Sequence, residues 1–196
     1  MNRLALAALS TTIVGCIAAL AISVWPGLLQ DVLLWTIVVG FFPAVALAIM
    51  LAGYALVRGR RLTPLRRNSV RLLAAIPVIG VLTFALLILY VPRRMAFLAS
   101  RAAFESALGQ INTGVVGPME LNRRLGAYLV DSYAVYPHGV VYFRVYDAPD
   151  GLGPDTRSFG FVKNPNSTSS LFGAAYCRVH HVVDDWYWFE ASDDWF

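Results

Sequence analysis

Charge is scarce in this chain, and acid is almost absent from its first half. Only 14% of the 196 residues are charged, where a soluble domain carries about 25%. Residues 1–96 hold a single acidic side chain, Asp31, against nine arginines. Histidine is confined to His138, His180 and His181, and cysteine to Cys16 and Cys177. Two cysteines exclude a disulfide framework. One of them lies in an apolar run and the other in the polar half, so a bridge between them is not expected. The lack of charge, with 58% hydrophobic residues and a mean hydropathy of +0.59, excludes a disordered chain and argues against a wholly soluble one.

What is present is long apolar runs. About residues 4–25, 32–57 and 72–91 carry no charged side chain. Roughly 20 apolar residues suffice to cross the hydrocarbon layer as a helix. Three transmembrane helices are therefore expected within a domain spanning residues 1–92. Pro26-Gly27 ends the first run, and Pro92 with Arg93-Arg94 follows the third. Trp25, Trp35, Tyr54 and Tyr90 fall near span ends, where amphipathic rings favour the headgroup layer. Pro43 and Pro77 predict kinks inside spans.

The net charge of +4 hides an asymmetry, because residues 97–196 hold seven basic and eleven acidic side chains. The positive excess gathers at Arg58, Arg60, Arg61, Arg66, Arg67 and Arg71, between the second and third runs. Basic loops stay cytoplasmic. The cluster serves as a topology anchor or meets anionic lipid headgroups. No nucleic-acid partner is implied by a pI of 9.3 that arises this way. The expected placement is a multi-pass protein of a bacterial inner membrane, N-terminus cytoplasmic, C-terminal domain periplasmic. Fifteen arginines against the one lysine, Lys163, point to a GC-rich and hence bacterial genome. Ile13-Val14-Gly15-Cys16 has the look of a lipobox with Cys16 as the lipidated residue. The apolar continuation through Ile17–Trp25 favours an ordinary span instead.

The spans contain no titratable side chain, so they offer neither a proton relay nor an imidazole for haem or pigment. They do contain small residues four apart, on one helix face. Ala7, Thr11, Gly15, Ala19 and Ser23 lie in the first run, and Gly40, Ala44, Ala48 and Ala52 in the second. Such rows let backbones approach closely, and they also arise by chance in alanine-rich helices.

Residues 93–126 read as a helical connector. Arg93–Leu108 shows apolar residues at helical spacing. Pro118–Leu125 reads as a second short helix, with proline at its first position and Gly126 beyond its end. Residues 127–196 read as an antiparallel β domain, which makes the outer part a small α+β unit. Tyr128–Tyr136 and Val140–Tyr146 form an expected hairpin, followed by strands at Arg157–Lys163, Phe172–Val183 and Trp186–Glu190. Sixteen of the 25 aromatic residues fall in 127–196. Trp186, Tyr187, Trp188, Phe189, Trp195 and Phe196 either contact a partner or the membrane interface, or form the core of the small domain.

The sequence Phe159-Gly160-Phe161, with Pro165 after it, then His180 or His181 and the pair Trp186-Tyr187, resembles the outer domains of uncharacterised small bacterial membrane proteins. That resemblance implies no activity.

Reactive constellations are not found. His180 and His181 are adjacent on a strand and point to opposite faces, so they do not easily share one metal ion. Cys177 and His180 are separated by an odd number of positions and face apart. No catalytic, cofactor-binding or metal residues are assigned. The expected function is a non-catalytic accessory subunit of a larger bacterial membrane complex, respiratory or photosynthetic. Its partners would be other membrane subunits and the lipid bilayer. The alternative is a stand-alone envelope protein whose outer domain binds a ligand or toxin, as a sensor or immunity protein does.

Overall fold

The computed structural model describes residues 2–27, 49, 53, 64–111, 114, 116–136, 139–149, 156–165, 172 and 176–192. All of the expected second span but Ile49 and Gly53 lies outside these residues, including Gly40, Ala44, Ala48 and Ala52. So do Arg58, Arg60, Arg61, Trp195 and Phe196. The chain divides into two compact units, Met1–Ser23 with Leu29–Pro92, and Val24–Leu28 with Arg93–Phe196.

In the first unit, α1 (Asn2–Ile22) and α2 (Pro64–Ile88) pack on each other. Both are long and apolar enough to cross a membrane. Ile76, Gly80, Thr83 and Leu87 are the buried positions of α2, and their 4-3-4 spacing lines one helix face. Ala5 and Cys16 are buried on α1. Most of the remaining described surface is hydrocarbon: Leu6, Val14, Ile17, Val78, Val81, Leu82 and Ile88 are all exposed. A helix that is apolar all round suits a lipid surround, not water. Thr11 and Thr12 donate to the carbonyls of Ala7 and Ala8, at 3.0 and 2.9 Å, so these hydroxyls are satisfied within the helix. Helix α2 starts in what reads as the arginine loop, placing Arg66, Arg67 and Arg71 in its first turns. It continues unbroken through Pro77.

Tyr90 ends this path. Its φ of 52° is left-handed, which interrupts the helix, and Pro92 then sits in the first turn of α3 (Val91–Leu108). The expected helix at Arg93–Leu108 is thus present.

The expected helix at Pro118–Leu125 is not. Those residues belong to strand β1 (Gly117–Leu125), so the all-helical connector is corrected. Gly126 is not a helix terminator there. With φ of +63° it opens the two-residue turn that joins β1 to β2 (Tyr128–Val135), where Leu125 pairs with Tyr128. Strand pairing overrode a proline and glycine placement that fits a helix equally well.

Strands β3 (Val141–Pro149), β4 (Thr156–Lys163), β5 (Tyr176–Val183) and β6 (Trp186–Ser192) complete a six-stranded antiparallel sheet, ordered β1-β2-β3-β4-β6-β5. Asp184-Asp185 turns β5 into β6, and Asp184 takes a left-handed φ of 46°.

Alternation along the strands gives the sheet two apolar faces. One receives α3: Phe97, Phe104 and Ala107 meet Tyr128, Phe143, Phe161 and Trp186. Phe104 is the hub, with ring centroids at 5.3 Å from Phe143, 5.5 Å from Phe161 and 5.8 Å from Trp186. The other face gathers Ala134, Tyr142, Val162 and Phe189, with Phe172 stacked on Phe189 at 6.0 Å. Gly160 lies where β4 passes β3 so closely that any Cβ would strike the Phe143 carbonyl oxygen.

The strap Val24–Gly27 joins the same core. Val24 packs against the α3 side, and Pro26 and Gly27 are buried. Gly27, at φ +92°, lies against the rings of Phe159 and Tyr146. The Tyr128 hydroxyl stands 3.3 Å from the Val24 carbonyl and 3.4 Å from that of Arg93.

Candidate functional site

The sheet unit concentrates its polar chemistry around one carboxylate on α3. Glu105 projects toward the ends of β4 and β6. It accepts from the Lys163 ammonium at 2.8 Å and from the Trp186 indole N–H at 3.0 Å. Arg101, one turn earlier, lies 3.6 Å from Glu105 and bonds Asp184 at 2.5 Å. Lys163, Glu105, Arg101 and Asp184 therefore form a chain of alternating charge that fastens α3 to β4 and to the β5–β6 turn. Lys163 and then Trp186 hold the Glu105 carboxyl below its ordinary range. Beside Lys163 opens a groove of about 580 Å³, lined among others by Leu108, Val140, Pro165 and Tyr187.

Two further arginines are built into the unit. Arg144 grips Asp131 with Nε at 2.9 Å and Nη2 at 2.6 Å, and its guanidinium stands 5.2 Å from the Phe172 ring. Arg93 is buried, and its guanidinium lies 4.4 Å over the Trp188 indole. Trp188 stacks in turn on His180, with centroids 4.4 Å apart. Burial, and then the positive charges of Arg93 and Arg178, push the His180 pKa down.

Reactive groups are subdued. Burial pushes the Cys177 thiol up to about 11, so little thiolate exists at neutral pH. His180 is paired across the ladder with Trp188 and His181 with Tyr187, so the two imidazoles do face apart. Among the described residues, no group of three His, Cys, Asp or Glu side chains is placed to hold a metal ion.

Of the aromatic cluster, Trp186, Trp188 and Phe189 are found in the core. Trp186 and Phe189 are fully buried, Trp188 is 5% exposed, and Tyr187 is half-buried. A sheet covered on both faces encloses rings that a bare sheet would leave in water. Of the small-residue row on α1, Ala7, Thr11 and Gly15 are exposed, Ala19 is half-buried and Ser23 is buried. Ala7, Thr11 and Gly15 are thus turned away from α2, and the second run, against which the row was expected to pack, lies almost wholly outside the described residues. Sequence reading missed the Glu105 cluster, whose members lie 58 and 81 positions apart. Its one visible signal is Lys163, the single lysine of the chain.

Comparison with family models, curated proteins and solved structures gave no match to this chain.

Proposed function

We propose that this is a membrane-anchored, non-catalytic binding protein, whose apolar helices hold a self-contained sheet unit at the membrane surface. The observation that carries the reading is the enclosure of Trp186, Trp188 and Phe189 within the unit's own core. A domain that satisfies its aromatic surface internally does not need a permanent partner to fold. The outward hydrocarbon of α1 and α2 supports membrane anchoring. The elevated Cys177 pKa supports binding rather than reaction. The groove beside Lys163 is the ligand surface in this reading. The arginine-rich segment between the spans favours an outward-facing sheet unit in a bacterial inner membrane.

A second reading, an accessory subunit of a larger membrane complex, is favoured by the exposed row Ala7, Thr11 and Gly15, which suits a foreign helix. Mild solubilisation followed by native electrophoresis separates the two. The binding-protein reading expects migration as the 21.5 kDa chain with its detergent. A stoichiometric partner that persists through solubilisation overturns it in favour of the subunit.

A further inference from the structure

The sheet unit has two places where its chain runs into the apolar helices, and they lie side by side. Val24 follows α1 and Arg93 follows α2, and the carbonyls of both approach the single Tyr128 hydroxyl. Helix ends that leave a bilayer place their next residues in the headgroup layer by chain continuity alone. Around these two points the unit exposes Trp25 (38%), Met95 (62%) and Leu98 (44%). Elsewhere on the unit, Val116 and Leu129 are the other large apolar side chains exposed among the described residues.

The exposed side chains share one arc of α3. Phe97, Ser100, Phe104 and Ala107 face the sheet. Met95 and Leu98, three positions apart, lie on the opposite side with Ala99 and Ala102, and Arg94 is exposed beside them. A helix with an aromatic side buried in its own domain and an aliphatic, cation-flanked side left open has the pattern of an interfacial helix. Trp25 adds an indole, the side chain that most favours the membrane–water boundary.

We propose that the first two turns of α3, with Trp25, form a lipid-docking face, in which Met95 and Leu98 enter the acyl boundary and Arg94 meets anionic headgroup phosphates. This rests on the membrane-anchored reading given above. The sheet unit then meets the bilayer through α3. Docking fixes which edge of the unit meets lipid and keeps the more distant strand positions, such as Glu120, in water.

Spin labelling of the full chain tests this, in vesicles of phosphatidylethanolamine and phosphatidylglycerol. In a background with Cys16→Ala and Cys177→Ala, single cysteines replace Met95, Leu98, Val14 or Glu120, and each carries a nitroxide. Collision with dissolved oxygen is compared with collision with a water-soluble nickel chelate. The expected result is an oxygen preference at 95 and 98 several-fold above that at 120, approaching the value at 14. Adding Arg94→Glu lowers the preference at 95 and 98 and leaves 14 unchanged. Labels at 95 and 98 that behave like 120, while 14 remains in lipid, overturn the docking face and spare the membrane reading. A water-exposed label at 14 overturns both. Far-ultraviolet circular dichroism matching the parent chain verifies that each labelled variant is folded.

Discussion

Glu105 shows how much one side chain does in the sheet unit, since it meets Lys163, Trp186 and Arg101 together. Glu105→Gln keeps an oxygen for the indole N–H and removes the charge. Because about a third of the Glu105 side chain is in solvent, water screens the pair. The expected loss at neutral pH is about 0.5–1 kcal/mol. Its folded pKa is depressed, so the ionic stabilisation is complete above the ordinary carboxylate pKa and disappears as pH falls through the lowered value. Melting of parent and variant should differ from about pH 5 upward and converge in stronger acid. Cys177 gives a second test at this scale. With its thiol near 11, alkylation by iodoacetamide at pH 7.5 should run roughly a hundredfold slower than for a free cysteine, read by mass spectrometry. Alkylation at the free-cysteine rate in denaturing urea identifies folding as the cause.

Among the elements, the sheet depends on how closely its strands approach. Gly160→Ala pushes a methyl group into the backbone oxygen of Phe143, and no rotamer change relieves that contact. A loss of about 3 kcal/mol or more is expected, or failure to fold, measured by denaturant titration. The strands after residue 127 were legible because alternation and turn residues agree with each other there: Val141 and Phe143 alternate with Tyr142, and Asp184-Asp185 punctuates the last hairpin; the irregularity between Arg144 and Tyr146, which brings Tyr146 to the Phe143 side, was not. Strand β1 was not legible. Its proline start and Gly126 end satisfy helix grammar, and only pairing with β2 decides between the two. The fate of Trp186 was equally hidden, because the sequence counts the aromatics but does not say that α3 lies across them. Pairs such as Glu105 and Trp186 depend on that same crossing, and no local pattern announces them.

For the whole molecule, the sheet unit is discontinuous in sequence. Its strap, Val24–Gly27, lies in the chain between α1 and α2 of the other unit, while the rest begins at Arg93. Gly27→Ala should therefore destabilise the distant sheet unit. The new methyl group meets the Phe159 and Tyr146 rings, and φ of +92° is unfavourable for alanine. Hydrogen exchange should quicken at β4 around Phe159; unchanged exchange there would mean that the strap is dispensable. An outward-facing unit also predicts that Glu120→Cys reacts with an impermeant maleimide on intact cells, whereas reaction only after permeabilisation reverses the proposed orientation. The strap has one more consequence, for biogenesis. Val24 and the tyrosine that holds it are separated by 104 positions, so on the ribosome the strap emerges long before its seat has been made. In the membrane-anchored reading it waits at the membrane face while the intervening hydrophobic stretch is inserted, and it is seated only once Tyr128 has been made.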